Sequence, residues 1–380
     1  MSEYLAVFGA ASMIDQIFTW YPDFLKEYIR DAVVVTPERS ELLDQVGLSK
    51  GFHNIKIPRK PNLVQDIFAL FALFFFMYKN RFKFVHSYMP KAGFITALSV
   101  FMLRSLGSQI VYVHTFTGLS WSGQRGLKLW LLSKFDLWIT YVADYILVES
   151  VGVASELVGL NKNCKPTIIG CGNIAGVNLA YFKPDPSFEK IRKERELKLV
   201  YVGRVSVEKG IFDILSIFHE KYDFVIHLDI VGTLELGAED LKKFNHILSI
   251  HPEINYVGFQ LDVRPYIQKA DYLVLGSHRE GFANVILQSL ALGVPVISSK
   301  VNGIQDILSK LDQGEEIGFF FEVRNIDALK RLIPEAYNAM GTIKYSIMQK
   351  TSITTISQYY SSQVAYDGLK SFYRQLGVIQ

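Results

Sequence analysis

Cysteine is almost absent: Cys164 and Cys171 are the only two in 380 residues. They fit no metal or redox spacing, and so few thiols predict a reducing compartment rather than a disulfide-stapled secreted chain. The sequence has no Asp-x-Asp pair and no His cluster at ligand spacing, so it offers no ready metal centre. It opens Met-Ser-Glu-Tyr-Leu-Ala-Val-Phe-Gly, without the basic start and long apolar core of a secretory leader. The longest uncharged apolar run, Ile67 to Tyr78, is short of the roughly 20 residues that span a bilayer. These absences predict a cytoplasmic chain that is not integral to a membrane. No internal repeat or low-complexity tract is present.

Apolar and aromatic residues are abundant. The composition is 49% hydrophobic and 20% charged, with 27 Phe and 20 Tyr, which is globular rather than disordered. The length suits two domains. Charge is divided unevenly. Residues 1–170 hold 17 Lys and Arg against 13 Asp and Glu, whereas residues 171–380 hold 23 against 24. The basic excess gathers at Lys50, Lys56, Arg59 and Lys60 before the apolar run, and at Lys79, Arg81 and Lys83 after it. That run is apolar on every side where a surface helix normally shows a polar face, which predicts either a surface that docks on anionic lipid or a helix covered by neighbouring loops.

Short apolar segments alternate with helical patterns along the whole chain, an α/β arrangement with parallel sheets. In the first half, Tyr4 to Phe8, Val33 to Val35, Phe84 to His86, Ile110 to His114, Tyr145 to Ser150 and Thr167 to Ile169 read as strands. Gly93 to Leu106 and Gly126 to Lys134 read as helices. The stretch 171–197 is rich in Gly, Asn, Pro and charge and reads as a linker between domains at 1–170 and 198–355. The second domain opens with a strand at Lys198 to Val202. Strands at Ile226 to Val231, Ile254 to Val257, Tyr272 to Leu275 and Val294 to Ser298 follow. Residues 356–380 carry a helical pattern with aromatics at Tyr359, Tyr360, Tyr366 and Phe372.

The chemistry concentrates in two loops of the second domain. Glu280 to Ile297 reads Glu-Gly-Phe-Ala-Asn-Val-Ile-Leu-Gln-Ser-Leu-Ala-Leu-Gly-Val-Pro-Val-Ile. It predicts a loop, a helix over Asn284 to Leu292 with Asn284 as N-cap, a stop at Gly293, and a strand. The preceding strand makes this a βαβ unit, and ligands bind such sheets at the carboxyl ends of the strands. Amides of the helix's first turn form a ready anion site there. The other loop, Gly203-Arg204-Val205-Ser206-Val207-Glu208-Lys209-Gly210, sets two cations five residues apart beside a second helix start. Such a pair can clamp a diphosphate from two sides.

Together the Gly-Arg…Lys-Gly loop and the 280–297 segment resemble the donor-binding region of retaining glycosyltransferases of family 4, the GT-B, two-Rossmann class. The likeness is strong over about 199–325 and looser before it. It implies two Rossmann-like domains with parallel sheets facing a central cleft, and a terminal helix, here within 356–380, that crosses back to the first domain. It implies that Arg204 and Lys209 hold donor phosphates and that Glu280 faces the transferred sugar. Gly203, Gly232, Thr233, Gly281, Phe282, Ala283 and Asn284 would line the donor site. The family's second glutamate, a ribose ligand, is Gln288 here; Gln has one acceptor oxygen where a carboxylate has two. In the first domain, His114 matches the position beside the transferred sugar. Gly9, Ala10, Ser12 and His86 fall on the acceptor side.

Thr115 to Gly123, Gly126 to Lys128 and Ala143-Asp144 resemble enzymes of capsule and lipopolysaccharide assembly. The resemblance thus implies metal-independent transfer, without cofactor, from a nucleotide-diphosphate sugar, UDP-linked by preference. The acceptor would be a polyprenyl-diphosphate-linked saccharide at the inner face of the cell membrane, and nucleic acid is not an expected partner. A nucleotide-sugar epimerase of the same fold and a non-catalytic nucleotide-sugar-binding subunit remain alternatives.

Overall fold

The computed structural model describes residues 3–48, 52–58, 62–122, 126–188 and 194–380. Lys50, Arg59, Lys60 and Gly123, singled out above, lie outside the described residues. The chain divides into two compact units, 1–176 together with 362–380, and 177–361. Of the stretch read as a linker, residues up to Gly176 belong to the first unit, and the described residues from Val177 on belong to the second.

The first unit is built on seven parallel strands: β1 (Tyr4–Phe8), β2 (Val33–Thr36), β3 (Phe52–Asn54), β4 (Phe84–Tyr88), β5 (Val111–Phe116), β6 (Tyr145–Val148) and β7 (Pro166–Ile168). Their spatial order is β3-β2-β1-β4-β5-β6-β7. Strand side chains alternate between faces, and each face has its own core. Leu5, Val7, Val85 and Tyr112 meet helices Leu63–Asn80, Pro90–Ser105 and Gly126–Val142 on one side. Tyr4, Ala6, Phe84 and Val113 meet helix Tyr21–Tyr28 and the C-terminal helix on the other.

Helix Leu63–Asn80 is longer than the apolar run at its centre. Asn62 caps it, accepting from the Gln65 amide at 3.1 Å, and Arg81 closes it in a left-handed conformation. At 18 residues it has the length and composition of a helix that could cross a membrane, as core helices of soluble proteins also do. One side of it, Ala69, Leu73, Phe74 and Met77, is nevertheless packed into the unit's core.

The second unit repeats the plan with six parallel strands: β8 (Glu196–Val202), β9 (Val225–Val231), β10 (Ile254–Gly258), β11 (Tyr272–Leu275), β12 (Val296–Ser299) and β13 (Gly318–Phe321), in the order β10-β9-β8-β11-β12-β13. The order reverses between β8 and β11, so the loops that follow these two neighbours flank the switch point where ligands of doubly wound sheets bind.

The terminal pattern is two helices rather than one. Helix Ile343–Tyr359 stops where the Tyr360 carbonyl takes the Val177 amide at 2.8 Å, and the next helix, Ser362–Gln375, belongs to the first unit.

Candidate active site

Two loops at the β8/β11 switch point are sewn together. After β8, Ser206 caps a single turn, Val207–Lys209, by accepting the Lys209 amide. Gly210 then lies so close to the loop after β11 that a Cβ there would sit 1.9 Å from the Gly276 carbonyl oxygen; its φ of +68° is also one that glycine favours. Across this contact the Lys209 ammonium meets Glu280 Oε1 at 2.5 Å, and the Ser277 hydroxyl donates to the same oxygen at 2.8 Å. The Lys209 and Glu280 side chains are only 17% and 13% exposed, so the pair is shielded from bulk water. Ser277 is itself held through its carbonyl, which accepts from Ser299 Oγ at the end of β12.

Arg204, half exposed, follows Gly203 at the end of β8 and donates to Glu235 at 2.7 Å. Burial opposes the charge on Arg204, but Glu235 outweighs it and holds its pKa above the ordinary arginine value. Glu235 is fixed by its amide bond to the Val205 carbonyl, while the Val205 amide donates to Thr233. Gly232 and Thr233 thereby lie beside Gly203 to Val205. Tyr201 donates to the Arg204 carbonyl at 2.6 Å. Its own pKa is raised by burial and by the Glu280 charge.

The helix after Glu280 is Asn284–Ala291, and Gly293 ends it with a φ of +71°. Asn284 is its first residue rather than its cap. The cap position is Ala283, whose side chain makes no capping hydrogen bond. Phe282 and Ala283 are buried and Gly281 is half-buried. The Phe282 ring packs over Gly303 and stands 5.5 Å from Tyr360. Gln288, half-buried, lies one helical turn beyond Asn284 on the same face.

In the first unit the two histidines are core residues. The sequence puts His114 at a strand end; β5 instead runs on to Phe116, and His114 is fully buried within it. Its Nδ1 shares a hydrogen bond with Ser87 Oγ at 2.8 Å, and its ring lies against Gly93, where any Cβ would fall 2.2 Å from Cε1. Burial drives its pKa down to about 3, so the imidazole is neutral. The half-exposed residues at the carboxyl end of β5 are Thr117 and Gly118. His86, also buried, bonds Tyr373 through Nδ1 at 2.6 Å and Thr115 through Nε2 at 2.7 Å. Gly9 and Ala10 are buried at the end of β1, and Ser12, half-buried, opens the short helix Ser12–Gln16.

Residues 183–346 match the family of glycosyl transferases group 1. That stretch is a glycosyl transferases group 1 domain. The chain is 25% identical over 362 residues to the capsular polysaccharide biosynthesis glycosyltransferase CapM of Staphylococcus aureus, covering 92% of this chain and 91% of that protein. It is 24% identical to the Escherichia coli UDP-Gal:alpha-D-GlcNAc-diphosphoundecaprenol alpha-1,3-galactosyltransferase, covering 78% of each. Its fold is that of GT-B glycosyltransferases. The Anabaena protein HepE, solved with UDP, superposes with a TM-score of 0.76 at 15% identity, over 98% of this chain and all of that one.

Sequence reading missed four parts of the candidate site. Glu235 and Ser277 lie within a few residues of Thr233 and Glu280, and only the fold reveals that they bond Arg204 and Glu280. Asp213 and Arg279 are charged residues flanking the two motifs. Arg279 had a signal in its place beside Glu280, whereas Asp213 is tied to the site only through its fold-dependent bond to His278.

Proposed function

We propose that this glycosyltransferase is a retaining, metal-independent enzyme of family 4 acting in surface polysaccharide synthesis. It moves a hexose-type sugar from a nucleotide diphosphate, UDP by preference, onto a polyprenyl-diphosphate-linked saccharide at a membrane surface. The observation that carries this reading is the shielded Lys209–Glu280 pair at the β8/β11 switch point, next to Arg204 and the start of helix Asn284–Ala291. Cleavage of a sugar–phosphate bond leaves charge on the departing diphosphate. Arg204, Lys209 and the helix amides are fixed donors for it, while Glu280 favours positive charge at the anomeric carbon. Retention needs no protein nucleophile if the acceptor attacks from the leaving-group face, and no residue is assigned that role. The buried His114 orders the core beneath the loop at Thr117 and Gly118. CapM and the E. coli galactosyltransferase support a capsular or lipid-linked acceptor, and HepE supports UDP.

A thermal-shift screen against UDP-, GDP-, ADP- and TDP-sugars identifies the donor, because a ligand of the folded state raises the midpoint. Transfer to an undecaprenyl-diphosphate saccharide is then assayed in EDTA. Glu280→Gln and Lys209→Ala should each lower turnover by about a hundredfold or more. Near wild-type rates in both would remove the site assignment. A donor that is converted without any acceptor, its nucleotide still attached, would point to an epimerase. A donor that binds and is never transferred or hydrolysed would point to a binding subunit.

A further inference from the structure

Three consecutive residues after β11 pair with the segment after β8. His278 Nε2 lies 2.8 Å from Asp213 Oδ2, Arg279 Nε lies 2.5 Å from Glu208 Oε1, and Glu280 meets Lys209. The backbone joins in, the His278 amide donating to the Glu208 carbonyl at 2.9 Å. His278 and Asp213 are about as shielded as the central pair, at 14% and 15% exposed. Along one strip the charges run minus then plus, Glu208 to Lys209. Along the other they run plus then minus, Arg279 to Glu280. The two strips therefore attract at both rungs, and each cation has both carboxylates nearby. Arg279 outweighs the burial of Glu208 and holds that carboxyl below its ordinary range.

We infer that Arg279–Glu208 and His278–Asp213 are positioning pairs that fix Glu280 and Lys209 against each other. They set the aim of two groups that must meet the sugar and the diphosphate at once. The inference rests on the reading of Glu280 and Lys209 as the transfer site. The flanking pairs act only through these two residues. A loop free to shift by an ångström would leave the donor bound through Arg204 and the helix amides while misdirecting the reacting centre. Losing a flanking pair should therefore lower kcat and leave donor affinity nearly unchanged.

Two measurements on the full-length chain test this. The first follows acylation of Lys209 by an acetyl ester, read by mass spectrometry against the exposed Lys242, and requires no substrate. Glu280→Gln serves as the positive control. Arg279→Ala, Glu208→Ala and Asp213→Asn should each speed acylation at Lys209, by about tenfold where one shielded ion pair is removed. Arg279→Lys, which keeps the charge, should restore part of the protection. The Glu208→Ala/Arg279→Ala double variant should be no worse than either single, because one interaction is removed only once. Lys209 reactivity equal to wild type in all three single variants would overturn the inference, whether or not the chain transfers sugar.

The second measurement takes kcat and UDP affinity for whichever donor the wild type uses. A drop of about tenfold in kcat with UDP affinity within about twofold supports the positioning role. An unchanged kcat, or affinity falling in step with kcat, overturns it. A wild type that binds no nucleotide sugar overturns the proposed function instead, and the acylation result still decides the pairing. Arg279→Lys and Asp213→Asn, the mildest changes, supply the same comparison should an alanine variant fail to fold.

Discussion

His114 and Asp136 are buried titratable groups of the first unit with opposite demands on pH. Burial lowers the pKa of His114 to about 3, so the folded chain holds fewer protons there than the unfolded one. Its contribution to stability is complete above the unfolded value of about 6.5 and is lost as pH falls toward 3. Asp136, on helix Gly126–Val142, behaves conversely. Burial raises its pKa to about 7; the Trp121 indole is near enough to ease ionisation, but neither carboxyl oxygen has a partner in hydrogen-bonding geometry. The neutral acid is favoured in the fold, so stability is greatest below the unfolded value of about 3.9 and falls as pH rises through 7. Each shift corresponds to roughly 5 kcal/mol at most. Asp136→Asn should therefore raise the melting temperature by a few degrees at pH 8 and change it little at pH 5. His114→Gln should flatten the loss of stability between pH 6 and 4. Melting curves across pH check both, and a uniform offset at every pH would refute the titration account.

At the scale of elements, a buried hydroxyl helps to tie the C-terminal helix Ser362–Gln375 into the first unit. Tyr373 is fully buried, and its oxygen lies 2.7 Å from that of Tyr4 and 2.6 Å from His86 Nδ1; Tyr4 in turn bonds Tyr21 at 2.6 Å. Tyr373→Phe keeps the ring packing and strands the polar atoms around it, which should cost about 1–3 kcal/mol. Denaturant titration measures this, and a cost below about 0.5 kcal/mol would mean the network reorganises freely. That a helix lies here was legible from its pattern, but the break at Tyr360 was not. It depends on Val177, nearly two hundred residues away, capturing a carbonyl. Strands β1 and β11 were legible as apolar runs bounded by loops, and β8 and β9 by apolar residues alternating with polar ones. The edge strands β3 and β13 escaped notice: β3 is three residues, Phe-His-Asn, and β13 is Gly-Phe-Phe-Phe, so neither offers a long enough run. Glu280 and Lys209 were readable because each sits in a local motif, whereas Glu235 and Asp213 matter through partners that only the sheet order brings close.

Across the whole molecule, basic charge and unpartnered apolar surface coincide in the first unit. Helix Leu63–Asn80 exposes Val64, Phe68, Phe71, Phe75 and Tyr78, with Phe68 at 72% and Phe75 at 61%. Their spacing of four and three residues puts them on one stripe. Helix Gly126–Val142, covering the same face of the sheet, exposes Leu127, Trp130 and Leu131. Lys79 and Arg81 lie at the end of the first helix, and Lys128 and Lys134 lie on the second. Aromatic side chains with a basic margin match the interface of an anionic bilayer, and the opposite side of helix Leu63–Asn80 is already committed to the core. A lipid-linked acceptor would be met there without the helix crossing the membrane. Each Phe taken out of water is worth about 1.5–3 kcal/mol, so Phe68→Ser with Phe75→Ser should weaken vesicle binding by about a hundredfold or more. Sedimentation with phosphatidylglycerol-containing vesicles checks this, with phosphatidylcholine vesicles as control. Binding should fall with salt as the Lys and Arg contribution is screened, and the melting temperature should stay unchanged because both rings are exposed. Equal binding to neutral vesicles at all salt concentrations would remove the electrostatic part. Self-association in solution that the double substitution abolishes, with no vesicle binding, would make the stripe a contact between copies of the chain.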